Sequence, residues 1–347
     1  MSEKAVRAAF AEQVGWCGRL GSPFTALLCQ AVGERIDHST AVGRRVLDWV
    51  GDSRPEKDNV PARLTGAFHW LVRRGAAPEL AALYPPAALP QVEALWAAAA
   101  PLLETHRDVF DSFLDNPPQT NEVGRSAVLM SGLLVVAGRF GLPMRLFELG
   151  SSAGLNLGLD RYRYALGGLE TGDAGSPLLL KPAWTGPPPP SAGVRILERR
   201  GVDISPLDVA RDGERLLAFV WADQRERIAR LEAALSIAAA DPPQVEQGDA
   251  AAWLERVLPA APREGSVRVV LHSIAFQYFP AETQARIARL MERLGAEAHE
   301  GAPLAWLQCE HLPGDAQASL RLRCWPDGTE RQLAWAHGHG ASVEWLP

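Results

Sequence analysis

Apolar residues recur at three- and four-residue intervals from the N-terminus to about residue 140, with breaks at glycine and proline that look like helix ends, a spacing that predicts helices throughout. The runs are EKAVRAAFAEQVGWCGRL, SPFTALLCQAVGERI with Ser22 as cap and Pro23 in its first turn, PARLTGAFHWLVRRG, PQVEALWAAAAPLLETHRDVFDSFL and TNEVGRSAVLMSGLLVVAGRFG. Beyond Gly141 short apolar runs alternate with amphipathic segments, the signature of βαβ units around a mostly parallel sheet. Strands are expected at Met144–Leu149, Val194–Leu197, around Val245, at Ser266–Ser273 and at Pro303–Glu310, with helices at Ala153–Ala165, Asp223–Ala239, Ala250–Val257 and Ala281–Leu294. The terminal stretch alternates about Asp327-Gly328, which predicts an antiparallel hairpin. The expected organisation is an all-helical domain over residues 1–140 and an α/β domain over residues 141–347, the latter carrying a loop-rich insertion at 167–191.

Composition narrows the function classes. With 47% hydrophobic and 22% charged residues the chain can bury one large core or two moderate ones. A net charge of -6 lacks the cation excess that nucleic acid or a membrane surface demands, so a small-molecule partner is expected and neither nucleic acid nor membrane is. Cys17, Cys29, Cys309 and Cys324 are widely spaced, with no CxxC, which fits a reduced, cytoplasmic compartment. The stretch MSEKAVRAAFAEQ lacks the apolar centre of a signal peptide, and the apolar run Ala127–Gly138 is too short to cross a bilayer. His337-Gly338-His339 has no evident third ligand, so no metal is expected.

One segment concentrates the candidate chemistry: RLFELGSSAGLNLGLD, Arg145–Asp160. Read from its serine, Gly150-x-Ser152-x-Gly154 is the local pattern of a nucleophile elbow, with Ser152 as nucleophile and His272, His311, His337 or His339 available as base. That reading needs strands ahead of the elbow, and everything before Met144 reads as helix. Read from its glutamate, Glu148-x-Gly150-x-Ser152-x-Gly154 is a cofactor loop: an acid at a strand end, glycines that let backbone amides approach a ligand, then a helix N-terminus. An acid just ahead of the first glycine suits an ammonium group better than a pyrophosphate, which favours S-adenosylmethionine over a dinucleotide. Two segments follow in order. RRGVDISPLDV places Asp203 where a carboxylate accepts both ribose hydroxyls, with Glu198 as a rival. VEQGDAAAWL places Asp249 where it accepts an adenine amino group while the Ala250 amide donates to the ring; helix capping accounts for either aspartate equally well.

The loop, the Asp203 segment and the Gly248-Asp249 turn resemble class I S-adenosylmethionine-dependent methyltransferases over Met144–Pro347. That resemblance implies a Rossmann-like, mostly parallel sheet ending in an antiparallel hairpin, and S-adenosylmethionine held by Glu148, Gly150, Ser151, Ser152, Gly154, Asp203, Asp249 and Ala250. Ser152 departs from the pattern, in which the middle residue is usually glycine, and its side chain crowds the methionine end of the cofactor unless it turns away. More closely, QTNEVGR (Gln119–Arg125), ELGSSAGLNLGLDRYRY, RRGVDISPLDV and VWADQRERIARL together resemble the bacterial domain-of-unknown-function 2332 family over nearly the whole chain, with a helical first part. The family name carries no function, so a methyltransferase is what the fold resemblance implies.

Methyl transfer from a sulfonium is an in-line displacement in which positioning does most of the work, and a base is needed only for a hydroxyl or protonated amine acceptor. His272, at the carboxyl end of its strand, is the expected base; Gln277 and Tyr278 are candidates to line the acceptor pocket, with core packing the better account of Tyr278. Asn121, Glu122 and Arg125 open the last helix before the sheet and are expected to touch substrate; Arg161 or Arg163 suits an anionic acceptor. The expected function is methyl transfer to a small molecule. Its rivals are a non-catalytic relative that binds an adenosyl metabolite or a protein, and a serine hydrolase working through Ser152.

Overall fold

Among the residues described by this computed structural model, 2–261, 263–312 and 314–347, helices are the only regular elements before Asn121. They are α1 (Glu3–Arg19), α2 (Pro23–Arg35), α3 (Ala41–Leu47), α4 (Val60–Arg73), α5 (Pro78–Ala81), α6 (Val92–Ala99), α7 (Leu102–Thr105) and α8 (Arg107–Asp115). Met1–Thr120 and Asp212–Ala229 form the first of two units, whose core includes Phe10, Leu28, Leu64, Phe68 and Phe110. The run expected from Pro90 to Leu114 breaks into three helices, because Pro101 cannot donate to a continuing α6 and His106 leaves helical geometry between α7 and α8.

Ser22 starts α2 as expected but does not cap it. Asp223 does so from a distant part of the same unit: its Oδ2 accepts the Phe24 N–H at 2.9 Å, and its Oδ1 accepts the hydroxyls of Ser22 and Thr25. Asp223→Ala strands these donors together, and the expected cost is about 2 kcal/mol. A urea midpoint for this variant equal to that of the wild type would show the contact to be worthless.

The second unit comprises Asn121–Arg211 and Arg230–Pro347. Its strands are β1 (Met144–Leu149), β2 (Arg163–Leu166), β3 (Leu169–Gly172), β4 (Leu179–Leu180), β5 (Ala183–Thr185), β6 (Ile196–Asp203), β7 (Val245–Gln247), β8 (Val267–Ser273), β9 (Leu304–His311), β10 (Ala318–Trp325), β11 (Thr329–Ala336) and β12 (Ser342–Trp345). The longer helices after the first unit's are α9 (Arg125–Phe140), α10 (Val209–Ala218), α11 (Arg225–Ala240), α12 (Ala250–Ala260) and α13 (Ala281–Ala296); α10 and α11 carry the chain into the first unit and out again. One mostly parallel, nine-stranded sheet runs β5-β12-β11-β10-β9-β8-β1-β6-β7, so the unit is mixed α/β. The five strands from β9 to β7 are parallel, and β10, β11 and β12 follow as an antiparallel meander with the Asp327-Gly328 turn between β10 and β11. The chain builds outward from β1 to β6 and β7, then crosses to β8 and β9 on the other side. In open α/β sheets ligands bind at such a reversal, which here falls at the carboxyl ends of β1 and β8.

Three expectations change. The first unit's leading segment ends at Thr120, ahead of Gly141, because α9 packs on the sheet: a Cβ at Gly132 would lie only 2.4 Å from a Leu307 methyl carbon. The strand expected at Val194–Leu197 begins at Ile196 and continues through Asp203. In place of the helix expected over Ala153–Ala165, a 3-10 turn spans Leu155–Arg161 and β2 follows, joining β3 and β4 in a three-stranded sheet. Tyr162, Tyr164 and Leu166 are buried at every second position, a strand period, and the Tyr162 hydroxyl donates to the Leu155 carbonyl at 2.6 Å. No helix among the described residues is long and apolar enough to cross a membrane.

Candidate functional site

Strand alternation decides which side chains meet at this end of the sheet. Phe147 and Leu149 of β1 face the apolar cluster formed with α12 and α13, so Glu148 faces the other side of the sheet, where α9 packs. Val202 of β6 belongs to the same cluster as Phe147, which puts Gly201 and Asp203 on the side of Glu148. Two carboxylates therefore stand near each other at one end of one face.

Glu148 is 2% exposed, and its Oε2 has no hydrogen-bond partner. Burial, followed by the charge of Asp203, pushes its carboxyl up from 4.5 to about 8, against the pull of Asn156, Ser151 and Arg125. The Ser152 Oγ is also buried without a partner. Gly150, Ser152 and Gly154 have φ of 71°, 53° and 73°, so Ser152 adopts the left-handed backbone that a glycine would supply. Asp203 braces this turn: its Oδ2 accepts the Ser152 N–H at 2.8 Å and its Oδ1 the Ser205 N–H at 2.9 Å.

The neighbouring residues hold the turn in shape. The Ser151 hydroxyl donates to the Glu148 carbonyl at 2.9 Å and fills the space over Gly201, where a Cβ would lie 2.2 Å from its Oγ. Gly154 packs against Pro243, 2.7 Å from where its Cβ would be. Asn121 Oδ1 accepts the Leu155 N–H at 2.8 Å, and the Ser126 hydroxyl donates to Asn156 Oδ1 at 2.7 Å. Arg125 donates through Nη1 to the Ser273 carbonyl at 3.0 Å and through Nε to the Gly338 carbonyl at 2.8 Å, tying α9 to the end of β8 and to the turn before β12. Glu122 Oε1 accepts the Gly124 N–H at 3.2 Å, and α9 begins only at Arg125, so QTNEVG leads into the helix rather than forming its first turn.

His272 does not reach this constellation. Its strand neighbour Leu271 sits beside Glu148, so the alternation turns His272 to the opposite face, against Trp306. It is fully buried: Nδ1 lies 2.7 Å from Glu310 Oε1, and Nε2 accepts the Trp306 indole N–H at 3.1 Å. That pairing fixes the neutral tautomer with its proton on Nδ1 and leaves no lone pair for a substrate proton. The base expected at His272 is thus a structural group. A serine hydrolase fares no better, since the Ser152 hydroxyl has no hydrogen-bond partner and the histidine–carboxylate pair aims its second nitrogen at Trp306.

The family described as an uncharacterized protein conserved in bacteria (DUF2332) matches residues 7–345. The chain belongs to this family. No curated protein and no solved structure matches it.

In this DUF2332 chain the sequence-expected site residues fall into two groups. Glu148, Gly150, Ser151, Ser152, Gly154 and Asp203 gather around one turn, and Asn121, Glu122 and Arg125 lie in the segment that holds it. Asp249 and Ala250 stand at the end of the next strand, where Asp249 caps α12 by accepting the Ala252 N–H at 2.9 Å and also accepts the Thr283 hydroxyl at 3.2 Å. Asn156 and Glu310 escaped the sequence reading. Both are buried polar residues inside apolar runs, AGLNLGL in the first case and LAWLQCE in the second, and that incongruity is the signal that could have found them. Among the described residues no group of three or more His, Cys, Asp or Glu could hold a metal ion.

The hydrolase alternative has a direct check. A fluorophosphonate probe is expected to leave Ser152 unlabelled, because an unactivated hydroxyl is a poor nucleophile; labelling of the wild type but not of Ser152→Ala would reinstate it.

Proposed function

We propose that this DUF2332 protein binds S-adenosylmethionine at the carboxyl end of β1 and transfers its methyl group to a small-molecule acceptor. The observation that carries the reading is Glu148, a buried carboxyl with one orphaned oxygen beside a second carboxylate, near the carboxyl end of the strand where the sheet order reverses. The guanidinium felt at Glu148, that of Arg125, spends its hydrogen bonds on the Ser273 and Gly338 carbonyls, so an α-ammonium or sulfonium group would supply the pairing cation. The orphaned Ser152 hydroxyl offers the same ligand a further hydrogen bond, and the left-handed backbone at Gly150 and Ser152 is the kind that brings main chain close to a ligand. The parallel strands, taken in chain order, lie third-second-first-fourth-fifth, the arrangement of Rossmann-like sheets, although the antiparallel meander extends beyond the single hairpin that the methyltransferase resemblance implies.

In this reading Glu148 receives the amino group, and Asp203, whose oxygens each keep a lone pair after accepting one amide, receives the ribose hydroxyls. Asp249 remains the adenine partner by position, although its cap and its contact with Thr283 occupy part of its accepting capacity. When bound, S-adenosylmethionine supplies an electrophilic methyl group. The chain's own contribution is orientation: Asn121 holds the exit of the loop, and Arg125 holds the β8 end and the Gly338 turn in register. No proton transfer is assigned to His272. Its engagement is also what favours the second reading, a protein that binds an adenosyl metabolite without turning it over.

Calorimetric titration with S-adenosylhomocysteine tests the site. Asp203→Asn is expected to weaken binding about tenfold by removing the charge on the ribose side. Binding that survives both this change and Asp249→Asn undiminished would place the ligand elsewhere.

A further inference from the structure

The buried pair His272–Glu310, left without a catalytic part above, has a different use. Glu310 is the penultimate residue of β9 and is 4% exposed. Its Oε1 gathers three donors: His272 Nδ1–H at 2.7 Å, Ala275 N–H at 3.1 Å and Phe276 N–H at 3.1 Å. Its Oε2 faces the Gln277 N–H at 3.5 Å, and the Gln277 side chain in turn accepts the His311 N–H at 3.2 Å. One carboxylate thus collects the successive amides of the loop that leaves β8. Trp306 secures the arrangement from behind by donating to His272 Nε2, and the Phe276 ring stacks on the imidazole with centroids 4.6 Å apart.

The loop needs this hold. Ile274, a β-branched residue, has φ of 48°, a conformation that persists only where the surroundings impose it. What the imposed shape achieves is visible at Gly150: the Ala275 side chain comes within 2.5 Å of where a Gly150 Cβ would stand, and the Phe279 ring within 3.6 Å. The loop is a wall pressed against the turn that follows Glu148, on the β8 side of β1, with the Asp203 strand β6 on the other side.

We infer that Glu310 is a positioning residue for the candidate site, its buried carboxylate fixing the 274–278 loop against Gly150 so that the amino-acid end of an adenosyl ligand meets a preformed wall. The inference rests on the reading given under Proposed function, and it makes a distinction that fold stability alone does not. S-adenosylhomocysteine has an amino-acid end; 5′-methylthioadenosine has none. Glu310→Gln keeps the shape of the side chain but presents an amide to a ring of donors, so the loop relaxes.

The test is paired titration of both ligands into wild type, Glu310→Gln and the milder Trp306→Phe, with hydrogen exchange at the Ala275 and Phe276 amides. In Glu310→Gln, S-adenosylhomocysteine affinity is expected to fall about tenfold while 5′-methylthioadenosine affinity holds, with faster exchange confined to the loop. Trp306→Phe shifts the same quantities in the same direction by less. Freed loop amides with unchanged S-adenosylhomocysteine affinity overturn the inference, as does an equal loss for both ligands, which marks a role in folding only. Wild-type protein that binds neither ligand brings down the cofactor reading and this inference with it, an outcome separate from the other two.

Discussion

Glu148→Gln is expected to weaken S-adenosylhomocysteine binding about a hundredfold and, in the same protein, to raise stability at neutral and alkaline pH. The two effects share one cause. Glu148 is buried with Oε2 unpartnered, and burial with Asp203 nearby lifts its carboxyl from 4.5 to about 8. Between those values the folded chain keeps a proton that the unfolded chain has already released, so stability falls as pH rises through that window. A glutamine of equal size carries no charge and abolishes the fall. Thermal unfolding followed from mildly acidic to mildly alkaline pH should show the wild type losing ground steadily to the variant. Parallel curves would mean that Glu148 is ionised at little cost and that its site needs no cation. A residue kept at the expense of stability is the mark of a binding site rather than of packing.

Gly150→Ala is the second large effect, expected to cost about 2–4 kcal/mol and to remove ligand binding. Two separate contributions add. Its φ of 71° lies where an L side chain is strained, and the new Cβ would stand 2.5 Å from the Ala275 side chain. A companion change, Ala275→Gly, removes the collision and leaves the backbone strain, so the double variant should recover roughly half of the lost stability. Chemical denaturation of the four proteins closes the cycle. Full additivity would show that the loop after β8 can draw away from Gly150, contrary to the hold that Glu310 exerts through the Ala275 and Phe276 amides.

What could be read from the sequence followed from how local each signal is. Met144–Leu149 is a wholly apolar-flanked run whose limits coincide with β1, and Asp327-Gly328 marks the β10–β11 turn by its dipeptide alone. The grouping of Glu148, the Gly150–Gly154 turn and Asp203 was legible because the acids end successive parallel strands. Two misreadings had their corrections in plain sight. DRYRYAL alternates with period two and its last four residues form β2, but the apolar run before it suggested a helix. His272 is one residue out of step with the position beside Glu148, and period-two alternation alone sends it to the far face. Other features depended on tertiary contacts that no local pattern encodes: Asp223 capping α2 across some two hundred residues of sequence, α9 joining the sheet, and Glu310 collecting the amides of a loop from another strand.

The affinity of the wild-type protein for S-adenosylhomocysteine as a function of pH bears most directly on the central claim, that the end of β1 is an adenosyl site organised around Glu148. Binding an ammonium beside a carboxyl that titrates at about 8 requires that its proton leave, so affinity should tighten about tenfold per pH unit from pH 6 and level off near pH 8. No binding at millimolar ligand, or an affinity indifferent to pH over that range, would contradict it.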